Sequence, residues 1–404
     1  METTKPAGLR AHARLITGVG VAWLFDAMDV GMLSFVIAAV HEEWQLNPVQ
    51  MGWIGSIGSI GMAIGAIVFG MLADRIGRKT VLIVTLLIFS IGSALSALAT
   101  GYALFMVLRL LIGMGLGGEL PVASTLVSES VAPEHRGRSV VLLESFWAAG
   151  WLLAALLSYF VIPHWGWRVA MVITGLAAVY AFYFREGIKE SPVYLTKNVQ
   201  AKPRFWPTFL KLWRPPYRRA TLMLWVVWFM VVFSYYGMFL WLPSVMVLKG
   251  FSMINSFGYV LVMTLAQLPG YFVAAWLIEK WGRKPVLGGF LFGTALAALG
   301  FGLATSLPML LISGMLLSFF NLGAWGALYA YSPEQYPSVI RSSGSGLAAG
   351  IGRIGGIVGP LLVGTMIGHG AALPVIFGIF TAAILIAVVA VFVLGQETMG
   401  QPLD

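Results

Sequence analysis

The stretch "GMLADRIGRK" (70–79) decides how the rest of the chain is read, because it returns as "AWLIEKWGRK" at 275–284. Asp74 aligns with Glu279, Arg75 with Lys280, Gly77 with Gly282 and Arg78 with Arg283, each pair 205 positions apart. The same shift carries Arg136 of "PEHRGRS" onto Arg341 of "SVIRSSG". A single offset near half of a 404-residue chain marks two halves built on one plan.

Around these motifs lie apolar runs, at 15–40, 50–72, 80–99, 103–128, 138–162, 167–184, 220–248, 254–278, 285–304, 309–331, 342–368 and 372–395. At ~1.5 Å per residue, about 20 helical residues cross the ~30 Å hydrocarbon core of a bilayer. The expectation is an all-α membrane protein with twelve transmembrane helices in two pseudo-symmetric six-helix bundles. The bundles are placed at 1–185 and 220–404, with a cytoplasmic linker at 186–219. Composition agrees: the chain is 59% hydrophobic and 10% charged, whereas soluble domains carry about 25% charged residues.

The net charge of +9 would suit nucleic acid, but the cations sit at the ends of the apolar runs, so no nucleic-acid partner is expected. With the N-terminus in the cytoplasm, all Lys and Arg except Arg168, Lys249, Arg109 and Arg353 fall in cytoplasmic segments. Both termini are therefore expected to face the cytoplasm. The first run is too long for a cleaved signal sequence and reads as a retained helix. The linker segment "KNVQAKPRFWPTFLKLWRPPYRR" (197–219) reads as a solvated basic loop on an anionic leaflet, with a short interfacial helix from Phe205 to Leu212. Cysteine is absent and the five histidines are scattered. Disulfides and thiolate metal sites are excluded, and neither a metal nor a cofactor is expected.

Six ionisable residues interrupt the apolar runs: Asp26 and Asp29 in "WLFDAMDVGM" (23–32), Arg109, Glu119, Glu144 and Arg353. Each costs on the order of 2.5–3.5 kcal/mol at mid-bilayer on insertion scales, so such residues face a bundle interior and find partners. Asp26 and Asp29, three apart, share a helix face, and two close carboxyls in low dielectric resist double ionisation. Two readings stay open. In one, Asp26, Asp29, Arg109 and Glu119 form a proton-coupling relay. In the other, the aspartates pair with Arg109 or Arg353 to fix packing. Glu144 reads as structural or functional alike.

Arg353, in "GLAAGIGRIGGIVGP" (346–360), has no acidic neighbour among the spans of its own half. Its candidate partners are an anionic substrate, which a guanidinium grips in bidentate fashion, or an aspartate of the first span. Aromatic residues crowd "SYYGMFLWLP" (234–243) and "FFNLGAWGALYAY" (319–331). Tyr235, Tyr236, Trp241 and Trp325, with Gln267 and Asn321, form the expected cavity wall. It suits a small planar ring carrying one polar group better than it suits a sugar. No nucleophile–base constellation suggests an enzyme, and no sizeable soluble domain suggests a receptor.

The paired loop motif, "RLLIGMGLGG" (109–118), "VSESVAPEHRGR" (127–138), "KESPVYL" (189–195), "YSPEQYPSVIRSSGSG" (331–346) and "GQETMG" (395–400) resemble the signatures of the major facilitator superfamily over essentially the whole chain. That resemblance implies a secondary transporter working by alternating access. It makes Asp74, Arg75, Arg78, Glu129, Arg136, Glu279, Arg283 and Arg341 the candidates for a cytoplasmic gate. An acidic side chain at a helix N-terminus is stabilised by the free N–H groups there, so Asp74 is expected at the start of the eleventh span and Glu279 at the start of the fifth. "WLFDAMDVGMLSF" (23–35), "GMGLGGELPVASTLVSE" (113–129), "SYYGMFLWLPSVM" (234–246) and "SFFNLGAWGALYAY" (318–331) are similar to the bacterial niacin transporter group. That group is itself similar to aromatic-acid/proton symporters and the synaptic vesicle glycoprotein 2 branch. The implied activity is import of nicotinate or a related aromatic acid, with protons as co-substrate. The implied setting is a monomer in the bacterial inner membrane. Facilitated diffusion and drug/proton antiport stay open.

Overall fold

The computed structural model describes residues 9–130, 136–177, 179 and 205–399. They are almost wholly helical. In chain order the helices are α1 (Leu9–Trp44), α2 (Pro48–Ile76), α3 (Arg78–Ser96), α4 (Tyr102–Ser130), α5 (Arg136–Gly175), α6 (Phe205–Leu212), α7 (Arg218–Phe239), α8 (Leu242–Leu248), α9 (Met253–Leu265), α10 (Gln267–Trp281), α11 (Arg283–Gly302), α12 (Leu307–Glu334), α13 (Ser338–Gly368) and α14 (Leu373–Leu394). By length and composition, 11 helical spans among the described residues can cross a membrane.

The count is one below the expected twelve because the fifth run and the start of the sixth fall together in α5, whose 40 residues are two helices meeting at a kink. A straight helix of that length would span about 60 Å, twice the hydrocarbon core. It is instead broken at Gly166, whose φ of 82° and ψ of 164° lie outside the helical region, three residues after Pro163. A proline removes a backbone donor and a glycine accepts the strained dihedrals, so the two together make the turn.

The repeated loop motif has a backbone cause too. Gly77 ends α2 and opens α3 at φ 100°, ψ 154°. Gly282 does the same between α10 and α11 at φ 97°, ψ 167°. Residues with a Cβ are nearly excluded from that region, so the glycine at each end of the 205-residue offset is what permits one helix to pass directly into the next. Elsewhere starts are capped by side chains. Ser252 and Ser306 hydroxyls accept from the third backbone N–H after them, and Asn47 and Gln50 bond each other's backbone N–H at 2.9 Å.

The chain divides into two compact units, Met1–Trp44 with Ile57–Gln200, and Gln45–Ser56 with Ala201–Asp404. In the first, α1 packs along α5, and α3 along α4 and α5. Glycines bring α2 and α4 to backbone contact: a Cβ on Gly61 would stand 2.3 Å from the Leu110 carbonyl oxygen, and one on Gly117 2.0 Å from that of Met62. In the second unit, α7 packs on α13 and α14, and α12 on α10 and α11. The first turns of α2 belong to this unit, where the Ser56 hydroxyl donates to the Ile357 carbonyl at 2.6 Å. The boundary near 185 and the linker as far as residue 204 lie outside the described residues; the linker's remainder forms α6 and the turn into α7.

Candidate functional site

Among the described residues, the buried acidic and basic side chains all belong to the first unit: Asp26, Asp29, Arg109, Glu119 and Glu144, each no more than 2% exposed. Asp29 is held from two sides. Ser93 Oγ on α3 donates to its Oδ1 at 2.5 Å, and Arg109 Nη1 on α4 donates to its Oδ2 at 3.1 Å. The guanidinium also lies 5.5 Å from the centre of the Phe105 ring, and its Nε and Nη2 meet no acceptor among the described residues. Asp26, one turn earlier on α1, and Glu119 on α4 are each 1% exposed, and neither oxygen of Glu119 meets a hydrogen-bond donor among the described residues.

Ser93 was not singled out from the sequence. The signal was present, since Ser90, Ser93 and Ser96 recur at intervals of three within the apolar run of α3 and form a polar line down one helix face.

The second unit brings together the aromatic residues of α7 and α12. The Tyr235 ring lies 4.9 Å from Trp325, 4.9 Å from Phe239 and 5.3 Å from Tyr236. Trp228 and Tyr329, both missed in the sequence reading, extend the cluster: Trp228 stands 4.9 Å from Tyr329 and 6.1 Å from Trp325, with its indole N–H donated to Ser332. Arg353, half-buried on α13, donates from Nη1 to the Tyr236 hydroxyl at 3.3 Å. Gln267 opens α10 where the chain breaks after α9. It is buried with neither amide atom bonded among the described residues, and Asn321 on α12 is buried with its Oδ1 in the same condition. Unsatisfied buried amides are costly, and a polar ligand group would relieve them. Trp241 is committed otherwise, its indole N–H donating to the Pro360 carbonyl at 3.1 Å.

The gate candidates divide. Asp74, Arg75, Arg78, Glu129 and Arg136 lie on helices, but their side chains fall outside the described residues. Glu279 is exposed on α10. Arg283 pairs with Glu334 at 3.1 Å and donates to the Ile278 carbonyl. Arg341 Nε donates to the carbonyls of Pro333 and Tyr336. Glu397, in the quoted "GQETMG" segment, plugs the N-terminus of α11, accepting from the backbone N–H of Arg283, Lys284, Thr398 and Met399 at 2.9–3.0 Å. Burial alone would raise its carboxyl pKa. The four N–H donors outweigh that and hold it below the usual carboxylate range. Thr398 then donates to Glu334, tying the C-terminal segment to the Arg283 ion pair.

The Major Facilitator Superfamily model matches residues 19–267 and 254–402. The chain belongs to that superfamily. The superfamily fold is also that of a solved D-xylose–proton symporter, which superposes with a TM-score of 0.79 at 18% identity over 96% of this chain and 99% of that one. Among curated relatives, a protein of Bacillus subtilis (strain 168) named "Putative niacin/nicotinamide transporter NiaP" is 62% identical over 395 residues, 98% of each chain. The "Niacin transporter NiaP" of Acinetobacter baylyi is 46% identical, covering 97% of this chain and 96% of that one. As a superfamily member with transporter relatives at this identity, the protein is a multi-pass membrane transporter and not an enzyme.

Proposed function

We infer that the protein imports nicotinate across the bacterial cytoplasmic membrane by alternating access, driven by proton symport, with both termini in the cytoplasm. The 62% identity to a niacin/nicotinamide transporter along 98% of the chain carries this reading. The geometry supplies its chemistry. The rings of Tyr235, Tyr236 and Trp325 offer faces for a planar pyridine. Arg353, which donates to the Tyr236 hydroxyl, is the cation for the carboxylate, and the unbonded Gln267 Nε2 can donate to the ring nitrogen. Asp26, Asp29, Arg109 and Glu119 couple the movement to protons, and Arg283, Glu279 and Arg341 with their first-half counterparts Arg78, Asp74 and Arg136 govern the cytoplasmic gate, joined by Arg75 and Glu129.

The test is uptake of labelled nicotinate, with nicotinamide and benzoate as competitors, at two external pH values. Arg353→Ala removes a charge-assisted contact worth about 1.5–3 kcal/mol. It should weaken nicotinate binding roughly 10- to 150-fold, while nicotinamide, which carries no charge, loses far less. Equal losses for the two ligands would reject the carboxylate role.

A further inference from the structure

Arg168 is one of the few cations on the external side when both termini are cytoplasmic. Its guanidinium forks onto Glu43, at the end of α1: Nη1 donates to Oε2 at 3.0 Å and Nη2 lies 2.8 Å from Oε1. Nη2 also donates to the Ala99 carbonyl, between α3 and α4, at 3.2 Å. The same carboxylate accepts the indole N–H of Trp167 at 2.6 Å, and the Arg168 guanidinium stands 4.5 Å from the centre of the Trp167 ring. With side chains 42% and 38% exposed, this ion pair adds little to stability by itself. Its use lies in what it holds.

Gly166 breaks α5, leaving Trp165 67% exposed while Trp167 turns inward to 3%. There Trp167 meets Trp44 and Phe105 edge to face, with ring centres 5.5 and 5.7 Å away, and those two rings meet each other at 5.6 Å. One aromatic triad thus joins the end of α1, the start of α4 and the last part of α5. Phe105 is fully buried, and its ring centre lies 5.5 Å from the Arg109 guanidinium, within reach of a cation–π attraction. Arg109 needs that support. It bonds Asp29 from Nη1, while Nε and Nη2 meet no acceptor among the described residues, so hydrogen bonding alone leaves the planar group free to swing.

We propose that Trp44, Phe105 and Trp167 form a lid over the Arg109–Asp29 pair, latched from outside by Glu43 and Arg168, and that Glu43 and Trp167 are positioning residues for that pair. The proposal rests on the proton-symport reading above and adds the point at which external protons are held back. With the latch shut, apolar rings bar water from the pair and Arg109 stays on Asp29. With the latch open, Trp167 leaves Phe105, water reaches the pair, and the guanidinium loses the ring face that orients it. A half-exposed ion pair suits this task because it opens at small cost, whereas breaking a buried one is expensive.

The chain contains no cysteine, so a single introduced thiol reports alone. Ser96→Cys places it at a fully buried position of α3, between Ser93 and Ala99. Thr85→Cys, also fully buried and nearer the start of the same helix, is the control. The full chain in right-side-out membrane vesicles meets a membrane-impermeant maleimide from outside. Losing a latch of this kind shifts an opening equilibrium about tenfold, so Glu43→Ala, and Trp167→Phe, which keeps a ring but lacks the N–H, should each speed Ser96→Cys labelling by about that factor. Thr85→Cys should stay slow, and the melting temperature of Glu43→Ala should hardly move. Both variants should pass protons without substrate, so gradient-driven accumulation falls while nicotinate exchange at equal pH continues. Unchanged Ser96→Cys labelling in either variant would overturn the lid. So would equal acceleration at Thr85→Cys, acceleration confined to inside-out vesicles, or intact accumulation. Labelling requires no substrate, so it decides the lid whether or not nicotinate is the solute carried.

Discussion

Replacing Arg109 by methionine keeps most of the aliphatic stem and removes the guanidinium, stranding the Asp29 anion at 1% exposure with the Ser93 hydroxyl as its remaining donor. Breaking a buried pair from one side costs about 3–5 kcal/mol, because the partner charge is left uncompensated. The lost contact with the Phe105 ring, at 5.5 Å, adds about 1 kcal/mol. In the double variant Arg109→Met/Asp29→Asn no charge is stranded, and the neutral amide keeps the serine contact. About 2–3 kcal/mol should therefore return, a coupling energy at the upper end for residues in direct contact. Purified variants unfolded in graded denaturing detergent supply the four corners of the cycle. The expected order is wild type, double variant, then Arg109→Met far below. Additive single effects, or an Arg109→Met loss under about 1 kcal/mol, would show that the pair is solvated and that the buried-anchor argument is mistaken.

Two further outcomes follow from packing and from the C-terminal cap. Gly58→Ala should be tolerated, since a Cβ there meets nothing within 4 Å, whereas Gly61→Ala drives its Cβ to 2.3 Å from the Leu110 carbonyl oxygen. Overpacking against backbone costs about 1–3 kcal/mol or more, so yields of folded protein should separate the two variants, and equal yields would refute the close α2–α4 contact. Glu397→Gln should destabilise the second unit by about 1 kcal/mol at neutral pH, since the anion at the start of α11 is lost. The folded carboxyl is held below its ordinary value, so its stabilisation is present above the unfolded pKa of about 4.3 and fades as pH falls through the lower folded value. Melting curves of wild type and variant should accordingly converge in acid. A gap that widens there would contradict the capping role.

Much of this protein is written locally. Apolar runs, the glycine that ends α2 and α10, and the cations at span ends are properties of short windows, and a fixed offset of 205 exposes the internal repeat. Hydrophobic burial in a bilayer and obligatory backbone pairing leave such a chain little choice but helices, so the fold class and the positions of its costly charges were legible before any coordinates. What joins those charges was not. Asp26 and Asp29 are chemically identical and one turn apart, yet it is Asp29 that the Arg109 guanidinium and the Ser93 hydroxyl hold. Glu397 reaches an N-terminus 114 residues earlier in the chain. The break between the fifth and sixth runs was legible as well, since Pro163 and Gly166 stand where the backbone of α5 leaves the helical region. Periodicity tells which residues are costly to bury; only packing, by choosing their neighbours, determines how each of those costs is met.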